Sequence, residues 1–222
     1  MNLHNGHRQR VLDRFRKEGI DGFSPHNILE MVLFYSIPRM DTNEIAHRLI
    51  DRFGSVAGVF DAPESELLKV DGIGERSAAF LKMIPQLARY YMTEKAEDKI
   101  ITSSRDAGEY LLPRYIGRTT EAVMVICLDN KNKVISTQVV HEGNVNTAEI
   151  SIQAIATAAL GCNATSVIVA HNHPGGLSLP SNEDIKTTEV LCRTLSALNI
   201  KVLDHIIIAD NDFVSLADSG KI

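Results

Sequence analysis

His171, His173, Ser181 and Asp184 are the residues of this 222-residue chain whose types and spacing could do chemistry. The two histidines sit in His171-Asn172-His173-Pro174, at the end of the apolar run Ser166-Val-Ile-Val-Ala170. Residues i and i+2 of a strand point to one face, so two imidazoles are expected side by side where the strand ends. Pro174-Gly175-Gly176 breaks the strand and turns the chain. A helix beginning near Ser181 then carries Asp184 back toward the histidines. Two neutral nitrogens and one carboxylate oxygen leave a fourth position open for water, as catalytic zinc requires. The plainer alternative is that Ser181 and Asp184 form a capping box and that the histidines are two satisfied side chains at a loop mouth.

The elements that must position these residues fall into two halves of different texture. The first ~95 residues carry helical periodicity. A helix is predicted over about 7–18, stopping at Gly19, and a second from Ser24-Pro25, an N-cap followed by an N1 proline. A third spans about Thr42 to Phe53, closed by Gly54, with Ile45, Ala46, Leu49 and Ile50 on one face. Short helices follow near 56–60 and 63–69, and a longer one covers about 75–92. The charged stretch Thr93–Lys99 reads as a helix end plus linker, dividing a domain of residues 1–95 from one of residues 100–222. In the second half Ala122–Leu128 is an apolar run of the kind buried on both faces. Asp129–Asn132 turns it into a second strand, Val134–Val140, making a hairpin. Helices are predicted over 147–160 and 182–198, with strands at 166–170, 202–209 and 213–216. Interleaved strands and helices around an antiparallel hairpin favour an α/β (α+β) chain with a mixed sheet flanked by helices.

Bulk properties narrow the function classes. Hydrophobic residues make up 44% of the chain, enough for real cores, and no run approaches the ~18 apolar residues of a membrane span. The start lacks the apolar stretch of a signal peptide. Cys127, Cys162 and Cys192 are odd in number and widely spaced, as free thiols in a reducing cytoplasm would be. A net charge of −5 argues against a broad nucleic-acid surface. The one basic cluster, Arg8, Arg10, Arg14, Arg16 and Lys17, reads first as a solvated helix face and second as a phosphate patch.

Val70-Asp-Gly72-Ile73-Gly74-Glu-Arg-Ser-Ala78 lies between two predicted helices and fits a helix-hairpin-helix, hairpin at about 70–78. Gly72 and Gly74 permit positive φ, and Ile73 between them is expected to plug the core. Backbone N–H groups there and at the next helix start are free to hold a phosphate, giving a weak DNA contact without sequence preference. A packing or protein-docking element is the alternative, since Glu75 adjoins the glycines and only Lys69, Arg76 and Lys82 are near.

His-x-His-Pro-x-Gly followed by Pro180-Ser181-x-x-Asp184 resembles the JAMM (MPN) metalloprotease signature, with every spacing kept. More narrowly it is similar to the RadC family, with Gly175 where that family usually has Ser. Phe53-Gly54-Ser55, Leu128-Asp129-x-Lys131-Asn132, Asp204-His205-Ile206-Ile207 and Val214-Ser215-Leu216 carry the resemblance over nearly the whole chain. It implies a helical N-terminal domain with a helix-hairpin-helix, then a JAMM/MPN-like, cytidine-deaminase-like domain. It implies Zn(2+) held by His171, His173 and Asp184, a glutamate base matching Glu121, and Ser181 as oxyanion donor. Glu142, at the end of the second strand, and Glu149, in the first turn of a predicted helix, are rivals for the base. His205 is either a hydrogen-bond partner behind the site or a core histidine, and is not counted as a ligand. The expected activity is zinc-dependent hydrolysis of an amide, peptide or isopeptide bond in a peptide or protein substrate. The rivals are a DNA-associated binding protein with a structural or vestigial metal site, and a metal-dependent nuclease, although two-metal nucleases usually need more carboxylates.

Overall fold

The fold is given by a computed structural model that describes residues 3–94, 99–143 and 151–222. The chain divides into two compact units, Met1–Ala88 and Arg89–Ile222.

The first unit is helical: α1 (Leu3–Glu18), α2 (Pro25–Leu33), α3 (Asn43–Phe53), α4 (Val56–Asp61), α5 (Glu64–Leu67) and the start of α6 (Glu75–Glu94). Leu29 and Leu33 of α2 meet Ile45, Ala46 and Leu49 of α3, and Val59, Leu67, Ile73, Ala78 and Leu81 complete this core. Gly19 and Gly54 end α1 and α3 at φ of 73° and 80°, where a side chain would be strained. The basic cluster of α1 is largely exposed, with Arg10, Arg14, Arg16 and Lys17 at the surface, but two of its guanidiniums also make specific contacts. Arg8 donates to the Ile37 and Met40 carbonyls and lies over the Phe34 ring. Arg14 donates to the Gly22 carbonyl and lies over Phe23, and Arg16 pairs with Asp13. Arg8 and Arg14 fasten α1 to the chain that follows it, whereas the Arg16–Asp13 pair lies within the helix.

Between α5 and α6 the chain turns through Leu68–Gly74, with Ile73 buried as expected. Only one of the two glycines needs its conformational freedom. Gly72 has φ of 93°, and a Cβ there would stand 2.7 Å from Ile45 Cδ1. Gly74 does not adopt a positive φ; its carbonyl accepts from the Ser77 and Ala78 N–H groups, so it starts α6.

The second unit is a five-stranded mixed sheet of order β2-β1-β3-β4-β5, built from β1 (Ala122–Leu128), β2 (Val134–Glu142), β3 (Ser166–Asn172), β4 (Lys201–Ala209) and β5 (Asp212–Ser215). β1 runs antiparallel to both β2 and β3, β3 and β4 are parallel, and β4 and β5 are antiparallel. Parallel neighbours need a crossover, supplied by α9 (Asn182–Ser196). Alternation along β1 divides the core. Met124, Ile126 and Leu128 join Leu111 and Tyr110 of α7 (Ser104–Tyr115) on one face. Val123, Val125 and Cys127 join α8 (Ile152–Gly161) and Leu191 and Leu195 of α9 on the other. All seven residues of β1 and of β3 are buried, as runs covered on both faces must be.

Two elements depart from the pattern read in the sequence. α7 was not among the predicted helices. Its start is marked by Ser103, whose hydroxyl accepts from the Asp106 N–H, but Gly108 and Pro113 interrupt its pattern. Gly108 is required by packing: a Cβ would come within 2.3 Å of the Phe213 ring. α8 begins at Ile152 because Ser151 has extended backbone and accepts from the Ala154 N–H, so it caps the helix. The predicted start of this helix, including Glu149, and most of the predicted linker (95–98) lie outside the described residues.

Candidate metal centre

The C-terminal end of β3 is where the chemistry gathers, because antiparallel β1 begins there and α9 starts nearby. His171 is still within the sheet, opposite Val123 of β1 and beside Ile207 of β4. His173 follows, its backbone N–H donating to the Ile208 carbonyl. The turn after it passes Gly175, at φ of 68°, and reaches Ser181, the N-cap of α9.

His171, His173 and Asp184 come together, each offering a ligand atom within 4.8 Å of the others. The Nε2 atoms of the two histidines are 2.9 Å apart. Asp184 Oδ1 is 3.4 Å from His171 Nε2, and Oδ2 is 3.9 Å from His173 Nε2. Donors around a tetrahedral zinc with bonds of about 2.1 Å stand roughly 3.3–3.4 Å apart, and these three separations bracket that value. His173 Nδ1 is 3.0 Å from the Leu177 carbonyl oxygen, which only accepts, so Nδ1 carries the hydrogen and, in the neutral ring, Nε2 presents a lone pair. The donor set therefore fits one cation. Among the described residues it is the one such cluster of three.

The two readings of Ser181 and Asp184 coexist. Asp184 Oδ2 accepts from the Ser181 N–H at 2.8 Å and from its hydroxyl at 2.6 Å, while the Asp184 N–H donates to Ser181 Oγ. The capping box orients the carboxylate and leaves Oδ1 toward His171. Burial by itself would raise the Asp184 pKa; the Ser181 hydrogen bonds and the imidazoles outweigh it and hold the net value below the ordinary one. In this arrangement the Ser181 hydroxyl hydrogen is directed at Asp184, so donation to a substrate oxygen requires the hydroxyl to rotate.

Glu121 precedes β1. Val123 pairs with His171, the last pair of that ladder, so Glu121 stands two positions before the residue opposite His171. Glu142 pairs with Ala122, which belongs to the opposite face of the sheet, and its carboxylate accepts from Arg118 at 2.5 Å. Among the described residues Glu121 has no such partner.

Asn172 was passed over in the sequence because it lies between two more conspicuous residues. Its Oδ1 accepts from the Ala122 N–H at 2.7 Å, and its Nδ2 donates to the Thr120 carbonyl at 3.1 Å. The side chain thus grips the backbone on both sides of Glu121, whose own carbonyl accepts from the Gly143 N–H. Thr188 is the second residue not singled out. Its hydroxyl is 2.6 Å from His205 Nδ1, and His205 Nε2 is 2.8 Å from His171 Nδ1.

Burial pushes the His171 pKa down to about 4, with Asp184 opposing the shift, and burial together with His171 pushes His205 down to about 3. Both rings are neutral near pH 7. A histidine whose folded pKa lies below its unfolded value contributes stability that is present above pH ~6.5 and lost as pH falls through the folded value. Metal-free protein is therefore expected to lose up to about 1.4 kcal/mol per pH unit for each of these histidines between pH ~6.5 and their folded pKa values. Urea midpoints at pH 7, 5.5 and 4.5 check this; equal midpoints would contradict it.

A sheet of this order with two histidines at the end of a strand and an aspartate in the following helix defines a JAB-type domain, and residues 101–221 match the family described as RadC-like JAB domain. The chain is also 35% identical over 225 residues to the UPF0758 protein FN0909 of Fusobacterium nucleatum subsp. nucleatum, covering 98% of this chain and 97% of that protein. The chain belongs to the RadC family.

Proposed function

We propose that the second unit is a zinc-dependent hydrolase of the JAMM type, cleaving an amide, peptide or isopeptide bond. The observation that carries this reading is the His171–His173–Asp184 cluster, supported by the position of Glu121 just ahead of β1, whose Val123 pairs with His171. A cluster serving stability alone would gain nothing from a nearby carboxylate that has no partner among the described residues and whose flanking backbone is held by Asn172. His171, His173 and Asp184 would hold the metal, which when bound would supply a Lewis acid and lower the pKa of a water toward ~7. Glu121 takes the proton from the attacking water and returns it to the leaving nitrogen. Ser181 orients Asp184 and, once its hydroxyl turns, donates to the carbonyl oxygen as negative charge develops. A single three-residue cluster among the described residues supports this chemistry over a two-metal nuclease, which needs more carboxylates. A peptide-library cleavage assay on zinc-loaded protein tests the reading. Cleavage that disappears with chelator supports it; nuclease activity without peptide cleavage would replace it.

Peptide or protein substrates in the cytoplasm belong to the same proposal. No helix among the described residues is long and apolar enough to cross a membrane. The Gly72–Gly74 turn contributes at most a weak phosphate contact. Of the cations near the turn, Lys69 pairs with Glu66, Lys82 donates to the Phe60 and Ala62 carbonyls, and Arg48 of α3 donates to the Asp71 carbonyl and carboxylate. Arg76 is left. The log of DNA affinity is expected to fall against log salt with a slope of only about 1–2, since each neutralised phosphate contributes ~0.9. Fluorescence anisotropy with two unrelated duplexes at graded salt measures it. A slope above about 5, or a clear preference for one duplex, would point to a surface other than this hairpin.

A further inference from the structure

We propose that Thr188 and His205 are positioning residues that fix the tautomer of His171, so that its Nε2 presents a lone pair to the cation. The proposal rests on the metal reading above but is derived from donor and acceptor bookkeeping alone. A threonine hydroxyl has one hydrogen. Thr188 Oγ1 lies 2.6 Å from the Asp184 backbone carbonyl, which can only accept, so the hydrogen goes there. Toward His205 the same oxygen must accept, so the hydrogen of that 2.6 Å contact belongs to His205 Nδ1.

His205 is fully buried, and a neutral imidazole with its hydrogen on Nδ1 has a bare Nε2. That bare nitrogen faces His171 Nδ1 at 2.8 Å, so the hydrogen of this contact belongs to His171. His171 Nε2 is then bare as well. It faces His173 Nε2, which the Leu177 carbonyl leaves bare by the same reasoning. Two lone pairs pointed at each other across 2.9 Å repel unless a cation lies between them. The relay starts at the backbone of Asp184, passes from α9 to β4 and ends on β3, so one ligand's backbone sets the protonation pattern of another ligand's ring. Metal-bound histidines in general hold their free N–H against an acceptor, and losing that acceptor weakens metal binding by about 10–100-fold.

The test uses full-length, chelator-treated protein labelled with 15N-histidine, reading tautomers from long-range 1H–15N correlations, and zinc affinity by competition with a chromophoric chelator. In the unsubstituted protein His171 and His205 should each show a protonated Nδ1 and a bare Nε2. Thr188→Val keeps the shape and removes the hydroxyl. It should mix the His205 and His171 tautomers and weaken zinc binding about 10–100-fold, while Thr188→Ser restores both. A Thr188→Val protein with unchanged tautomers and zinc affinity would overturn the proposal, as would Nε2 protonation of His171 in the unsubstituted protein. If the tautomers are as stated but no zinc is taken up, the relay stands and the metal reading falls.

Discussion

Glu121→Gln is expected to keep zinc at the level of the unsubstituted protein and to lose turnover by about 10²–10⁴-fold, the usual worth of a positioned acid–base group. The amide has nearly the shape of the carboxylate but cannot accept the proton. The main chain at this position is held from outside the side chain, by Asn172 on Ala122 and Thr120 and by Gly143, so the substitution should not disturb the sheet. Glu142→Gln provides the comparison. Its carboxylate is tied to Arg118 on the other face, and its loss should leave turnover within a few-fold. Rates on a substrate found by library screening, with metal content measured on the same samples, decide the matter. If Glu121→Gln stayed fully active while Glu142→Gln or Glu149→Gln did not, the base would have to be reassigned.

The other large effect concerns the metal itself. Protein purified without chelator should contain about one zinc per chain by elemental analysis, and the double substitution His171→Ala, His173→Ala should contain none. Asp184→Ala should bind more weakly, since it removes one ligand. The fold is expected to survive the double substitution in the metal-free state, because the main cores of the second unit do not include these rings. Circular dichroism and a thermal scan of chelated samples serve as the control. A protein that neither contains metal nor takes it up on titration would remove the basis for hydrolysis by this route.

The convergence of His171, His173 and Asp184 was legible in the sequence because all three lie within residues 171–184, where strand period, turn residues and a helix start fix their directions locally. The mixed sheet was legible for a similar reason: β1 and β3 are long apolar runs, and the Asp129–Asn132 turn joins β1 to β2. What could not be read depends on contacts between distant segments. Glu121 and Glu142 differ in the pairing of β1 with its two neighbours, and a face cannot be assigned before a register is known. Asn172 and Thr188 matter through bonds to residues 52 and 17 positions away. The α7 pattern was masked by Gly108, a glycine demanded by a phenylalanine about a hundred residues later. Gly74 looked like a second turn glycine, yet it only starts a helix.

Because residues 171–184 supply all three candidate ligands and the proposed base precedes a different strand, holding an ion and using it would be inherited through separate parts of the chain. A lineage could retire the reaction by one codon change at position 121 and still make a well-folded, zinc-containing protein. Metal content would then be a poor census of active members among relatives of this chain. The residue immediately before the first strand, together with the asparagine that grips its backbone, would be the better one.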